Sequence, residues 1–160
     1  MTQKTCCFFG HRFITNEIQV RERLIKVLDK LIQKGYNQFI IGTHGDFDRL
    51  ALSVCRELRR ENDIKIVVVF TSVSKIIKNK NSNLSSIDLY QDCETIIYDI
   101  ENIYYKNQIM ISNQQMIKNS DFVIFYVDES KSISGAKTAM KFAIKNKKKI
   151  YNLFLEIDRG

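Results

Sequence analysis

Near its start the chain reads Thr5-Cys6-Cys7-Phe8-Phe9-Gly10-His11-Arg12, a short apolar run that ends in a glycine, a histidine and an arginine. A continuous apolar run of this length is typical of a strand buried on both faces, as in a parallel sheet. The glycine permits a sharp turn after the strand. We therefore predict that this stretch forms the first strand of a parallel sheet and the loop at its carboxyl end.

Strands and helices are predicted to alternate after this first strand. Apolar residues at helical spacing predict a helix that begins after Asn16 and stops at Gly35. A second strand is predicted over Gln38 to Gly42, a second helix from near Phe47, and a third strand over Ile64 to Phe70. Three strands and two helices within ~65 residues are typical of a parallel sheet covered by helices.

The alternation resumes after a long polar interruption. Residues 71–99 are rich in Ser, Asn and Lys, a pattern that fits either a lid or a crossover connection. Residues 1–160 are predicted to form one α/β domain, with a mainly parallel sheet of about five strands and helices on both faces. The later predicted elements are a short edge strand over Ile96 to Tyr98, a helix over Tyr104 to Lys118, a strand over Phe122 to Val127, a helix from Ser134-Gly135 and a strand over Lys149 to Leu155.

Composition narrows the function classes. No apolar run approaches the ~20 residues that cross a bilayer, and the amino end lacks a secretory signal, so we expect a cytoplasmic protein with no membrane partner. Four cysteines without a Cys-x-x-Cys pair, and only two histidines, predict no metal site. The net charge is +7, but its lysines cluster near Lys145 to Lys149 without interleaved aromatic residues. Nucleic-acid binding is therefore expected to be weak.

The first candidate site residues follow the first predicted strand. Gly10 would let a ligand approach the backbone closely, because glycine has no Cβ atom. His11 then supplies a titratable ring and Arg12 a fixed cation. Ligands bind at the carboxyl edge of an open α/β sheet, so these side chains favour an anionic phosphate or carboxylate there.

The loop after the second strand carries a similar signal. Gly42 and Gly45 bracket Thr43-His44, so this loop can present consecutive backbone N–H groups to an anion at a helix N-terminus. Asp48, in the first turn of the helix, is predicted either to cap the helix or to reach a ribose hydroxyl.

A third glycine-containing turn opens the last helix. Ser134-Gly135-Ala136 has the composition of a helix start, with Ser134 as the expected N-cap. In a parallel sheet, all three turns would meet at one edge. Their coincidence predicts a ligand site there.

Several short motifs occur in order along the chain: Phe8-Phe9-Gly10-His11-Arg12, Gly42-x-x-Gly45-x-Phe47-Asp48, Asn113 before Met116-Ile117 and Ser120-Asp121, Ser134-Gly135-Ala136, and Lys147 to Asn152. Together they resemble the YpsA-like branch of the SLOG superfamily, which is named from the Smf/DprA proteins and the LOG phosphoribohydrolases. The resemblance covers nearly the whole chain. It implies a three-layer Rossmann-like domain that binds a nucleotide or nucleotide-derived ligand.

The resemblance also implies which residues contact the ligand. Two departures from the pattern concern Ser112-Asn113, where relatives often carry Arg-Asn, and Ser134-Gly135-Ala136, where they often carry Gly-Gly-Thr or Gly-Gly-Ala. One expected cation is therefore missing. With the loop residues considered above, the candidate ligand-binding set is Gly10, His11, Arg12, Gly42, Thr43, His44, Gly45, Phe47, Asp48, Asn113, Ser134, Gly135 and Ala136.

Whether the protein is an enzyme stays open at this stage. Relatives of the LOG type hydrolyse nucleoside monophosphates with an arginine and a glutamate. Reading Gly135-Ala136 onto the Gly-Thr of their motif puts Ala139 at the glutamate position. Glycosidic cleavage generally needs a carboxylate, so no catalytic residue is assigned.

The leading hypothesis is a module that binds or senses a nucleotide or nucleotide-sugar, with no other cofactor expected. One alternative is a nucleotide N-glycoside hydrolase or transferase in which Asp48 or Asp128-Glu129 supplies the carboxylate. Another is a DprA-like DNA-binding protein that uses the positive charge. The sequence leaves the oligomeric state open.

Overall fold

The computed structural model describes residues 2–71, 89–98, 105–131 and 134–159. Most of the predicted lid or crossover over residues 71–99, namely residues 72–88 and 99, lies outside the described residues. A short 3-10 turn, Glu156–Arg159, ends the described chain. The other elements are, in chain order, β1 (Thr5–Gly10), α1 (Glu17–Gln33), β2 (Gln38–Ile41), α2 (Asp46–Arg59), β3 (Lys65–Phe70), β4 (Glu94–Ile97), α3 (Tyr105–Lys118), β5 (Phe122–Tyr126), α4 (Gly135–Lys145) and β6 (Lys149–Asn152).

The strands form one sheet in the order β4-β3-β2-β1-β5-β6, and every neighbouring pair is parallel. The predicted α/β class and parallel sheet are confirmed. The count of about five strands is corrected to six within the described residues. The short edge strand predicted over Ile96 to Tyr98 is present as β4, which spans Glu94–Ile97 and pairs with β3. β4 begins with Glu94-Thr95 and is only partly buried, so it lacks the apolar run that marks the inner strands.

The core has two halves, one on each face of the sheet. Side chains of a strand alternate between the faces, so Cys6 and Phe8 pack toward α1 and α2, whereas Cys7 and Phe9 pack toward α3 and α4. These contacts remove the inner apolar sides of the helices and both faces of the sheet from water. Burial of apolar surface is the main favourable term in folding. The result is the predicted three-layer arrangement.

Three of the cysteines belong to this core. Cys6, Cys7 and Cys55 are buried, as their positions predicted. Burial raises the pKa of the Cys7 thiol to about 12 and raises the pKa values of Cys6 and Cys55 as well. They therefore remain protonated and serve as small apolar side chains.

Parallel pairing brings the loops after β1, β2 and β5 to the same edge of the sheet. Two hydrogen bonds join the first two loops: the Asp46 N–H donates to the Arg12 carbonyl at 2.8 Å, and the Ile14 N–H donates to the Asp46 carboxylate at 3.1 Å. The common edge predicted for the glycine turns is therefore present. The cross-links hold the two loops in a fixed relation.

Gly10 is required by packing at this edge. A Cβ atom at Gly10 would lie 2.4 Å from the Phe47 ring, and Phe47 is completely buried. The Phe47 ring also stacks on Tyr126, with ring centroids 5.9 Å apart. The start of α2 therefore packs directly against the end of β1, and only the hydrogen side chain of Gly10 leaves room for this contact.

We expect Gly10→Ala to lower the free energy of unfolding by roughly 1–3 kcal/mol, because the added methyl group overpacks against Phe47. Gly135→Ala is the matched control, since a Cβ atom there meets nothing within 4 Å. Urea unfolding of both variants, of Phe47→Ala and of Gly10→Ala/Phe47→Ala measures the coupling. The double variant should lose less stability than the sum of its single changes; strict additivity would contradict the contact.

Candidate functional site

A cleft of about 340 Å³ opens at the carboxyl edge of the sheet. Its walls come from the end of β1, the loop before α2, the middle of α3 and the start of α4. It is lined by Phe8, Phe9, Gly10, His11, Arg12, Phe13, Gly42, His44, Asp48, Ile109, Asn113, Lys131, Ser134, Gly135 and Ala136. The structure therefore brings most of the predicted site residues together around one space.

Three predicted residues lie elsewhere. Phe47 is completely buried under Gly10 and does not line the cleft, so in this structure it packs against β1. Thr43 and Gly45 line an adjoining depression of about 290 Å³ that shares Gly42 and Asp48 with the cleft. Gly45 has a φ of 105°, and a Cβ atom there would lie 2.7 Å from the Cα atom of Arg12. Gly45 is therefore needed for the contact between loops, since that space is already filled.

His11 is a buried, neutral ring. Its Nε2 atom accepts a hydrogen bond from the Asp128 backbone N–H at 2.6 Å, and its side chain packs edge-on against Tyr126 and Phe154. Burial is the largest cause of its lowered pKa, followed by the charge of Lys131. Because an Nε2 atom that accepts a hydrogen bond carries no proton, the His11 ring is neutral. It therefore links the ends of β1 and β5 and adds no positive charge to the cleft.

Arg12 and Lys131 provide the positive charge of the cleft. Both side chains are exposed, and the Arg12 guanidinium has no hydrogen-bond or ion-pair partner among the residues that the structure describes. Sequence reasoning missed Lys131. The only signal was its position shortly before the Ser134 cap, and isolated lysines in loops are too common for that spacing to be diagnostic.

The N-terminus of α4 faces the same space. Ser134 caps the helix by accepting a hydrogen bond from the Lys137 backbone N–H at 3.0 Å, as predicted. The N–H groups of the first helical turn have no partners within a helix, and the helix dipole makes this end positive. Gly135 has open space where a side chain would stand. An anion can therefore approach this helix end.

Asp48 is a buried carboxyl at the floor of the cleft. One of its oxygens accepts a hydrogen bond from the His44 backbone N–H at 2.7 Å and lies 2.9 Å from where a Cβ atom of Gly42 would be. Burial raises the Asp48 pKa to about 7, and the His44 N–H opposes part of that rise. The carboxyl binds the N–H of the residue before the N-cap Gly45, so it fixes the loop ahead of α2, and α2 has no side-chain cap hydrogen bond. Near neutral pH the group can either hold or release a proton.

Asp128, the other carboxylate considered from sequence, has a supporting role. It accepts hydrogen bonds from the Ser130 hydroxyl and N–H at 2.6 and 3.0 Å and from the Arg159 Nε atom at 3.1 Å. The Ser130 hydroxyl contact is the largest cause of its lowered pKa. Asp128 does not line the cleft, so Asp48 is the better placed carboxyl.

Comparison with known proteins agrees with this arrangement. A family model described as the "YspA SLOG family" matches residues 8–157, which include every segment around the cleft. The chain belongs to the YpsA family of SLOG proteins. It is similar to the UPF0398 proteins of Streptococcus agalactiae serotypes Ia, V and III, each 23% identical over 143 residues. Those alignments cover 88% of this chain and 80% of each relative.

The described residues contain neither a membrane-spanning helix nor a cluster of metal-binding side chains. None of their helices is both long enough and apolar enough to cross a membrane. Their His, Cys, Asp and Glu side chains form no group of three that could hold a metal ion.

The Asp48 carboxyl should make stability depend on pH. From pH 3.8 to about pH 7 the folded protein retains a proton that the unfolded chain releases, so the free energy of unfolding falls as pH rises and levels off above that range. Asp48→Asn removes this term. Between pH 3.8 and about pH 7, the free energy of unfolding of the wild type should therefore fall by up to roughly 4 kcal/mol relative to that of the variant. Urea unfolding from pH 4 to pH 8 measures the difference, and parallel curves would contradict the raised pKa.

Proposed function

We propose that the protein binds a phosphate-bearing nucleotide or nucleotide-derived ligand in this cleft. The observation that carries the proposal is the open N-terminus of α4 at Gly135, lining the same cleft as the exposed Arg12 guanidinium. Helix N-termini and arginine side chains both favour phosphate oxygens, and here they face one space. Lys131 adds a further cation.

The rest of the cleft suits an organic group attached to the phosphate. Its volume of about 340 Å³ lies within the usual range for small-molecule sites. Ile109 and Phe9 offer apolar surface for a flat ring, and Asn113 offers an amide that can both donate and accept hydrogen bonds. Family membership favours a nucleotide as that group.

Binding without rapid turnover is the form of the proposal that α4 supports best. The helix reads Gly-Ala-Lys-Thr-Ala-Met-Lys-Phe-Ala-Ile-Lys and contains no carboxylate. Ala139, at the position that carries glutamate in LOG-type relatives, is buried in the core below the helix. The group that would stabilise a cationic sugar is therefore absent from this helix.

A thermal-shift screen with mononucleotides, dinucleotides and nucleotide-sugars tests the proposal. A ligand at ~100 times its Kd should add about 2.7 kcal/mol of stability to the wild type. Arg12→Ala should abolish the shift by removing charge, and Gly135→Val by blocking the helix end, whereas Lys141→Ala on the outer part of α4 should retain it. The apo Tm of each variant controls for folding. A screen without any shift for the wild type would refute the proposal.

A hydrolytic function is a second candidate because of Asp48. A buried carboxyl with a pKa of about 7 at the floor of a cleft has the properties of a general acid or base. If this candidate is correct, a bound nucleotide should release its base over hours, and Asp48→Asn should stop the release while the thermal shift remains. Chromatography of the incubated ligand measures the products. An intact ligand after prolonged incubation leaves binding as the function.

A further inference from the structure

A second concave surface lies against the outer side of α2, separate from the cleft. It encloses about 600 Å³ and shares no lining residue with the cleft. Four arginines line it with a single carboxylate, and its remaining lining side chains are uncharged. The arginine groove, as we define it, is lined by Arg21, Arg49, Leu52, Ser53, Arg56, Glu57, Arg60, Leu89 and Tyr90.

Helix geometry sets the spacing of three of these cations. Arg49 and Arg56 lie in α2 and Arg60 is its C-cap residue with helical backbone angles; the three are seven and four residues apart, so they share one face of the helix. With a rise of about 1.5 Å per residue, they are roughly 10 Å and roughly 6 Å apart along the axis. Arg21 faces them from α1. This row of cations is longer than one phosphoryl group and fits several that are linked.

Two of the arginines are held in position by neighbouring groups. Arg21 donates to the Ser53 hydroxyl at 2.9 Å and forms an ion pair with Glu57. Arg56 binds Asp92 through its Nε and Nη2 atoms at 2.9 and 2.8 Å. Their side chains are about one-third exposed, so less rotational freedom remains to be lost when they bind a ligand.

Donors remain available for an anion in spite of these contacts. A guanidinium has five N–H donors, and the hydrogen bonds of Arg56 to Asp92 and Leu89 use its Nε and Nη2 atoms. Among the described residues the Arg49 side chain bonds through Nη2 to Asp46, and it is 76% exposed. The Arg60 guanidinium has no ion-pair or hydrogen-bond partner in the described part of the chain. The groove thus combines fixed and free cations.

We propose that the arginine groove binds a small molecule with two or more linked phosphoryl groups. Neighbouring guanidiniums on one helix face match closely spaced phosphoryl charges, whereas a lone carboxylate or sulfate would engage only part of the row. Leu52, Leu89 and Tyr90 form an uncharged side of the groove that can contact an attached ring. The two sources of this chemistry are inorganic polyphosphate and a nucleoside polyphosphate. The groove and the cleft share no lining residue, and the depression lined by Thr43 and Gly45 borders both of them.

Calorimetric titration with inorganic tripolyphosphate tests the proposal. Arg49→Gln/Arg60→Gln should raise the Kd about tenfold, because charge-assisted hydrogen bonds are lost from exposed positions. Lys141→Gln/Lys145→Gln is the matched control, with the same change in net charge on α4 at the other face of the sheet, and should bind as the wild type does. The arginine pair should have the same effect in the Arg12→Ala background, which removes the phosphate contact proposed for the cleft. Thermal unfolding checks that each variant is folded.

Further arms of the experiment separate the sources and the alternatives. Both ligands are titrated into the Arg12→Ala protein. Equal affinity for tripolyphosphate and a nucleoside triphosphate would identify inorganic polyphosphate as the ligand class. Tighter binding of the nucleoside triphosphate, with the difference lost in Tyr90→Leu, would identify a nucleotide. Equal weakening by the arginine and lysine double variants would overturn the proposal, since it would indicate net charge alone. Arginine-dependent binding of a single-stranded oligonucleotide without binding of tripolyphosphate would overturn it in favour of nucleic acid.

Discussion

The contact between the loop after β1 and the start of α2 is the constraint on which the candidate site depends. Phe47 fills the space beside Gly10, the backbone of Arg12 fills the space beside Gly45, and the Asp46 N–H donates to the Arg12 carbonyl. These glycines allow two backbone segments to pack closely. Arg12 is therefore carried on a loop with two fixed ends, and a ligand at its guanidinium meets a largely preorganised surface.

The fold was predictable where burial was complete and less so at the edge. β1 and β3 are continuous apolar runs, so their sequences carry the signal of strands buried on both faces. The apolar end of β4 predicted an edge strand over Ile96 to Tyr98, but its polar start at Glu94-Thr95 depends on pairing with β3, which local sequence does not encode. The sequence indicated which loops form the cleft. It could not indicate that Phe47 points into the core, because a residue in the first turn of a helix can face either way.

The charge of the cleft comes from fewer groups than its residue types suggest. His11 accepts a backbone hydrogen bond, and burial lowers its pKa, so it adds no charge near neutral pH. Asp48 has a pKa near 7 and is only partly ionised there. Arg12, Lys131 and the end of α4 are left to set the potential, which makes the cleft favourable for anions. Composition alone could not have given this balance, since it depends on which groups are buried.

Helix α2 borders both proposed sites through different parts of its surface. Its first turn supplies Asp48 to the cleft, and its exposed face supplies Arg49, Arg56 and Arg60 to the arginine groove. Between them, Leu50, Ala51 and Val54 pack into the core and fix the helix against the sheet. Changes at exposed arginines leave those apolar contacts in place, so they act on surface charge with little effect on the position of Asp48. The two sites can thus be altered one at a time, although one helix supports both.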